Sequence, residues 1–415
     1  MAIKLTQHNT LLHKSPMDKL SRNELVTLCR ERGVQEYSGR SKEYLLNLLN
    51  QQAIQTVQTV QTVQTVQTVQ TVQTVQTVQT VQTLPLTQNP SFIEVCSGCG
   101  GLSTGFMNVG WDAKLLNEII PVFSKTLQTN HPGILVETKD MQKLDLTKYH
   151  GQIDVLMGGI PCQPFSQSGL RHGLDDPRGQ LMLDFNRLII QVSPKILMVE
   201  NVEGLVSHND GKSLKSILEL FSNNGAYKMH HQVLNAGKYE VPQKRKRIFI
   251  VGIRDDIHRE KGEFTYPEPS SNTVLLRDVL PGCPPSDGAK YPEAKKKIME
   301  LVPEGGCWVD LPEDIQRTYM GGSYESGGGK RGMARRLSMN EQCLTLTTSP
   351  AQKQTERCHP LETRPLTVRE YARIQTFPDS YVFEGSVANQ YKQIGNAVPV
   401  KLAEAMGRQI KKYLA

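Results

Sequence analysis

The chain has 415 residues, 38% of them hydrophobic and 21% charged, with a formal net charge of +7. That length allows two or three domains around a sizeable core, and the basic balance admits a polyanionic partner without demanding one. No apolar run reaches membrane-spanning length and the N-terminus carries no signal-peptide pattern, so a soluble, cytoplasmic protein is expected. The eight cysteines lie at 29, 96, 99, 162, 283, 307, 343 and 358. Cys96 and Cys99 make a C-x-x-C, but no second close pair completes a tetrahedral site and glycines interrupt the segment. Reduced thiols and no metal are the expectation.

Residues 16–50 read as a small helical module. Leu20, Leu25, Leu28 and Cys29 recur at helical spacing, and Leu45, Leu46, Leu48 and Leu49 do so again after turns at Gly33 and Gly39. The string Leu20-Ser21, Glu24-Leu25, Arg32-Gly33, Ser38-Gly39, Lys42, Leu45-Leu46 resembles a SAP domain, which implies DNA binding. Lys19, Arg22, Arg40 and Lys42 would then touch phosphates. A helical hairpin that merely docks on another surface is the alternative. Residues 51–90 read as a linker, since 55–84 are nine Gln-Thr-Val triplets closed by Gln-Thr-Leu. A period of three turns the valines by about 60° per triplet on a helix and alternates them on a strand, so no apolar face results. As a flexible coil, the repeat spans roughly 30 Å.

From residue 91 strands and helices alternate. Strands are expected at Phe92–Cys96, Ala113–Glu118, Val136–Asp140, 154–160, 196–200, 230–236 and 247–253. Helices are expected from Leu102, from Pro121, at Leu181–Val192 and at Ser213–Asn223. Such alternation predicts an α/β fold, a doubly wound, mostly parallel sheet with helices on both faces, over residues 91–255. Residues 256–360 are rich in Pro and Gly with little periodicity and read as a smaller irregular domain. Helical pattern returns at Thr367–Phe377 and Val400–Leu414, within a return segment 361–415.

Five further signals concern chemistry. The run Phe92 to Cys96 leads into Ser97-Gly98-Cys99-Gly100-Gly101, a glycine-rich turn at a helix start where a ligand can approach the backbone. Glu118 and Asp140 end the next two strands, the first placed as a ribose-binding acid. Cys162 stands between Ile160-Pro161 and Gln163-Pro164 at the end of a buried strand, which suits a nucleophilic thiolate. Glu200-Asn201-Val202 ends another strand. Gln243-Lys244-Arg245-Lys246-Arg247 opens the strand Ile248–Val251.

With Gln393-Ile394-Gly395-Asn396-Ala397-Val398-Pro399 near the end, this ordered set resembles the DNA (cytosine-5) methyltransferases of the bacterial restriction–modification and Dcm type. The resemblance covers roughly residues 91–415. It implies a Rossmann-like fold that binds S-adenosyl-L-methionine through Cys96, Ser97, Gly98, Gly100, Gly101, Glu118, Asp140, Met141, Pro161, Leu181, Asn396 and Ala397. Glu94 and Cys96 stand where such enzymes usually have Asp and Phe, so an aromatic face against the cofactor is expected to be lost. Chemistry would fall to Cys162 as nucleophile on carbon 6 of a flipped-out cytosine, Glu200 as acid at ring nitrogen 3, and Arg247 at the base's carbonyl, with Arg245 as support. The loop bearing Gln163, Ser166, Ser168 and Arg171 would close over the DNA. Residues 256–360 would be the target recognition domain, with Lys330, Arg331, Arg335, Arg336, Thr345 and Thr347 against the duplex.

The expected partner is double-stranded DNA, with a cognate restriction endonuclease acting separately, and the enzyme is expected to be a nucleoid-associated monomer. A tRNA cytosine-5 methyltransferase is disfavoured by the size of the recognition region. A non-catalytic DNA-binding protein is disfavoured by the intact Pro161-Cys162 and Glu200-Asn201-Val202.

Overall fold

The computed structural model describes residues 21–31, 41, 42, 45, 89–161, 177–325 and 332–415. The rest of the expected SAP-like module, the Gln-Thr-Val segment, and the site residues Cys162, Gln163, Ser166, Ser168, Arg171, Lys330 and Arg331 lie outside them. Two compact units divide the chain, Met1–Leu86 and Thr87–Ala415.

In the first unit, helix α1 spans Arg22–Glu31. It begins with a capping box: Ser21 N–H donates to Glu24 Oε2 (2.6 Å) and Glu24 N–H to Ser21 Oγ (3.3 Å). Leu25, Cys29 and Leu45 are buried.

The second unit is built on a sheet of strands β1 (Ser91–Val95), β2 (Asp112–Asn117), β3 (Val136–Glu137), β4 (Val155–Gly158), β5 (Ile196–Val202), β6 (Tyr227–Asn235) and β8 (Lys246–Arg254). Its order is β3-β2-β1-β4-β5-β8-β6. The five strands from β3 to β5 are mutually parallel, whereas β8 runs antiparallel to both β5 and β6. The reversal has a plain cause. Only residues 236–245 join β6 to β8, too few for the crossover that a parallel pair requires.

β1 and β4 are buried at every position and β5 at all but Val202, as strands covered on both faces must be. Successive residues feed opposite cores. Phe92 joins Phe106, Trp111, Met157 and Leu402 on one face, while Ile93 joins Leu156, Phe185, Phe221 and Ile250 on the other. The first face is covered by α2 (Gly101–Asn108), α3 (Pro121–Asn130) and the C-terminal helix; the second by α4 (Pro177–Val192) and α5 (Lys212–Ser222). Helix α4 thus begins four residues ahead of the expected Leu181, with proline in its first turn, where the missing N–H costs nothing.

Residues 255–360 hold more helix than their weak periodicity suggests: α6 (Asp255–Lys261), α7 (Leu276–Val279), α8 (Glu293–Glu300) and α9 (Glu313–Met320). Pro292 and Pro312 stand at the N-caps of α8 and α9, so prolines read as loop markers here start helices. Met299, Val302, Leu311, Ala334 and Cys358 form a separate small core in this region. A two-stranded parallel sheet of β7 (Gln243–Lys244) and β9 (Cys343–Leu344) joins it to the basic stretch before β8.

The return segment contains α10 (Val368–Ile374), α11 (Val387–Asn396) and α12 (Val400–Leu414). Helix α11 was not among the expected elements. Its signals are Ser386, whose hydroxyl accepts from Asn389 N–H, and apolar Val387, Tyr391 and Ile394 at helical spacing.

Helix α12 lies along α2. Trp111 Nε1–H donates to Gly407 O (3.0 Å), and Lys411 Nζ to the carbonyls of Val109 and Gly110 (3.2 and 2.9 Å). The approach is close enough to demand glycine at 105, where a Cβ would lie 2.4 Å from Ala403 Cβ and 2.6 Å from Val400 O. Gly105→Ala should therefore cost about 1–3 kcal/mol through overpacking against backbone. Urea unfolding checks this, with a fall in midpoint at unchanged slope expected.

Candidate active site

The strand order reverses between β2-β1 and β1-β4, and ligands of open α/β sheets bind beyond the carboxyl ends of strands at such a point. A cleft of about 660 Å³ opens there, within the range of small-molecule sites. It is walled by the turn after β1, the ends of β2, β4 and β5, and the residues after α11.

Most of the sequence-derived cofactor residues line it: Cys96, Ser97, Gly98, Gly101, Glu118, Asp140, Met141, Pro161, Leu181, Asn396 and Ala397. Gly100 does not. At φ +86° it is the left-handed cap of α2, and a Cβ there would meet Leu127 and Tyr381 rather than the cleft. Its task is to turn the chain, a correction to its expected ligand contact. Cys96 also has positive φ, 52°, and burial raises its thiol to about 12. Cys99 faces the interior, its thiol donating to Gln393 O.

Glu118 holds the turn as well as the cleft. Its Oε2 accepts from Gly98 N–H (2.8 Å) and its Oε1 from Ile120 N–H (2.9 Å). Burial raises its pKa, and those two N–H groups pull against the shift. Asp140 Oδ1 accepts from Gln142 N–H (3.0 Å). Residues the sequence reading did not single out include Ile119, exposed at 57%, and Phe123, while Gln393, from the motif near the end of the chain, lines the cleft as well. Ile119 follows Glu118, two residues past the end of β2, and an apolar residue next to that acid was the available signal.

At the end of β5, Glu200 pairs with Arg247 on β8: Arg247 Nε lies 3.0 Å from Glu200 Oε1. Both line the cleft and both are largely buried. Burial raises Glu200 above the ordinary carboxylate range, with Arg247 and Arg245 opposing. The same burial lowers Arg247, with Glu200 opposing. Asn201 Nδ2 donates to Ile160 O (2.9 Å), which pins the chain just before Pro161 and Cys162 against β5.

Arg245 also borders the cleft, but its guanidinium is spent on carbonyls: Leu346 O (3.1 Å), Gly395 O (3.0 Å) and Asn396 O (3.3 Å). It is therefore a positioning residue.

Among the expected DNA contacts, Arg336 needs correction. It is 6% exposed and donates to the carbonyls of Met299, Val302, His359 and Glu362 and to Thr363 Oγ1, so it closes a core and cannot reach a base. Arg335 is half-buried, 3.9 Å from Glu341. Thr345 Oγ–H donates to Lys244 O (2.8 Å) and Thr347 Oγ–H to Ser349 O (3.0 Å).

Glu94, on the floor of the cleft, is fully buried, and its Oε2 meets no hydrogen-bonding group. Burial raises it from 4.5 to about 8, and nearby Ser103 opposes too weakly to offset this. The donor set suits an adenosyl sulfonium. Glu118 and Asp140 offer acceptors to hydroxyl and amino groups, the start of α2 offers backbone N–H groups, and Glu94 leaves a buried oxygen unmet.

The Glu94 shift has a stability signature. Below about 4.5 both folded and unfolded chains hold the proton and nothing is lost. As pH rises to about 8 the unfolded chain ionises and the folded one does not, so the fold loses stability; above that the loss is constant. Glu94→Gln should remove the loss, with its advantage over the parent growing between those values to a few kcal/mol. Urea unfolding of both proteins at pH 5 and pH 8 measures the difference.

A sequence profile described as "C-5 cytosine-specific DNA methylase" matches residues 90–412. The chain is 48% identical over 325 residues to the Type II methyltransferase M.Eco47II of Escherichia coli, covering 77% of this chain and 78% of that one. It is also 48% identical to M.Sau96I of Staphylococcus aureus, over 77% and 75% of the two chains. Among solved structures, a candidate DNA modification methyltransferase encoded within an E. coli prophage superposes with a TM-score of 0.59 at 26% identity, over 79% of this chain and 99% of that one.

Proposed function

The chain belongs to the C-5 cytosine-specific DNA methylases, and from that premise we propose which of its residues carry the reaction and what each does. The protein is a DNA (cytosine-5) methyltransferase that uses S-adenosyl-L-methionine. The cofactor supplies an electrophilic methyl group on a sulfonium. Glu118 and Asp140 would hold its ribose and adenine, and Ser97, Gly98 and Gly101 would hold its other end at the start of α2.

A target carbon inside a duplex is out of reach, so the cytosine is turned out into the cleft. Cys162, directly after Pro161, adds as thiolate to ring carbon 6, and the displaced electron pair is delivered toward carbon 5. Glu200 gives a proton to ring nitrogen 3, which keeps negative charge from building on the ring. A carboxyl does this near neutral pH only if its pKa is raised, and burial shifts Glu200 in that direction. Arg247 fixes the Glu200 carboxyl and faces the base's carbonyl oxygen. Once carbon 5 carries the methyl group, its proton passes to solvent, ring nitrogen 3 returns its proton to Glu200, and the thiolate leaves from carbon 6 to restore the ring. The observation that carries this reading is the buried Glu200–Arg247 pair inside the cofactor cleft.

Residues 256–360 select the target sequence. Recognition rests on their exposed and loop side chains, not on Arg336. The relatives' Type II designations favour a role beside a separately encoded restriction endonuclease, with this chain acting alone on cytoplasmic or nucleoid DNA. Among the described residues no helix is long and apolar enough to cross a membrane.

Two tests follow. Cys162→Ser should abolish methyl transfer, and Glu200→Gln should lower kcat about 10²–10⁴-fold, with cofactor affinity kept in both. Single-turnover transfer to duplex DNA, with calorimetric cofactor binding, reads both quantities; full turnover by the serine variant would overturn the covalent route. Removing residues 1–84 should leave the target sequence and the chemical step unchanged and weaken binding to long duplexes more than to short ones. A tethered second binder raises local concentration without adding contacts at the target, and its phosphate contacts fade with salt. Equal loss on both lengths, insensitive to salt, would show that this segment stabilises the catalytic unit instead.

A further inference from the structure

Far from the cleft, at the outer edge of the sheet, lies a group of residues that the methyl-transfer reaction does not use. His230 is on the edge strand β6, His258 is on α6, and Glu263 follows that helix. One ring nitrogen of each histidine and a carboxylate oxygen all lie within 4.8 Å of one another. His230 Nδ1 is 3.8 Å from Glu263 Oε2, and His258 Nε2 is 3.6 Å from Glu263 Oε1. Each distance is too long for a hydrogen bond. Each is close to the separation of about 3.4 Å that neighbouring ligands take around a tetrahedral ion bound at about 2.1 Å.

We propose that His230, His258 and Glu263 bind a divalent transition-metal ion of the zinc class at the sheet edge. Two imidazoles and one carboxylate are a common donor set for such an ion, and three protein ligands leave a position for water. The remaining nitrogens, His230 Nε2 and His258 Nδ1, are buried and meet no hydrogen-bonding group among the described residues. That leaves Nδ1 of His230 and Nε2 of His258 as the nitrogens turned toward Glu263. Two imidazoles converging on one carboxylate in this way make a ready ligand set.

The backbone around the group is firm. His230 is paired to Val251 on β8, its ring lies edge-on to Phe264 (6.0 Å), and Phe264 packs on Tyr413 of α12 (5.5 Å). Glu263 is the exposed member, at 78% of its side chain, and gives the ion an open route from solvent. Binding would tie α6 and the following residues to an edge strand that otherwise has one unpaired side. No carboxylate or carbonyl backs the outer ring nitrogens, and the lack of such partners typically weakens a site 10–100-fold. The affinity should therefore be micromolar rather than that of a buried structural zinc.

The experiment uses the full-length chain without a histidine tag, stripped with chelator, alongside Glu263→Gln and the His230→Gln/His258→Gln double variant. Zinc is titrated against a chromophoric competitor, and thermal melting is recorded with and without zinc. The parent should bind one more equivalent of zinc than the double variant, at micromolar Kd. Glu263→Gln should hold that equivalent at least tenfold more weakly. Zinc at a hundredfold above Kd should raise the parent's Tm by a few degrees and leave the double variant unmoved. Because Glu263 is exposed, its variant should fold even if the double variant does not, and methyl transfer by each protein checks this. Equal stoichiometry and affinity in the parent and Glu263→Gln, or no zinc bound by the parent, would overturn the proposal.

Discussion

The buried guanidinium of Arg245 is the interaction on which the rest of the catalytic unit depends. It is 1% exposed, and among the described residues it meets no carboxylate, its charge being held by three carbonyl oxygens. Burial lowers it from 12.5 to about 9, which still leaves it charged at neutral pH. Such a group is costly, and its position persists because three carbonyls from two distant segments converge on it. Leu346 belongs to the region beyond β8, while Gly395 and Asn396 close α11. One side chain thus sets the height of the segment at Leu346 and of the cleft wall after α11 relative to β8. Two residues further along the chain, Arg247 meets Glu200. Errors in any of these segments would pass directly to that pair.

Electrostatics in the cleft follow from the same economy of burial. Glu94, Glu118 and Glu200 stand around one cavity, and each is shifted upward chiefly by desolvation. They differ in what opposes that shift. Glu118 has two backbone N–H groups, Glu200 has Arg247, and Glu94 has only Ser103. Three otherwise similar carboxyl groups are thereby set apart by their neighbours within one cleft.

Much of this arrangement was legible in the sequence, for identifiable reasons. Strands buried on both faces read as continuous apolar runs, so β1, β4 and β5 were placed to within a residue or two, and Glu200 came with β5. The antiparallel turn of β8 against β5 was not legible, because it depends on a connection length rather than on residue type. Helix α11 was hidden beneath the turn that follows it. Arg336 was misread for a deeper reason. In a stretch with six basic residues and three acidic ones, charge alone cannot separate a guanidinium that meets phosphate from one that caps five interior acceptors. That distinction is a matter of three-dimensional neighbours.

The junction between the sheet and the region beyond β8 is polar, and this has a mechanical consequence. Gln243 donates through Nε2 to Gln375 Oε1 (2.8 Å) and accepts from Leu346 N–H (2.9 Å) at its own Oε1. Gln375 Nε2 in turn donates to Ile394 O (2.7 Å) and Ala397 O (3.0 Å). Beside this relay run the short β7–β9 pairing and the Arg245 contacts. An apolar junction would tolerate sliding by an ångström at little cost, since dispersion is non-directional. A chain of buried amides does not, because each displaced donor or acceptor is left unsatisfied in a medium without water. The polar junction therefore fixes register where packing alone would leave it soft. That register ties the region beyond β8 to the cleft lined by Glu200 and Arg247.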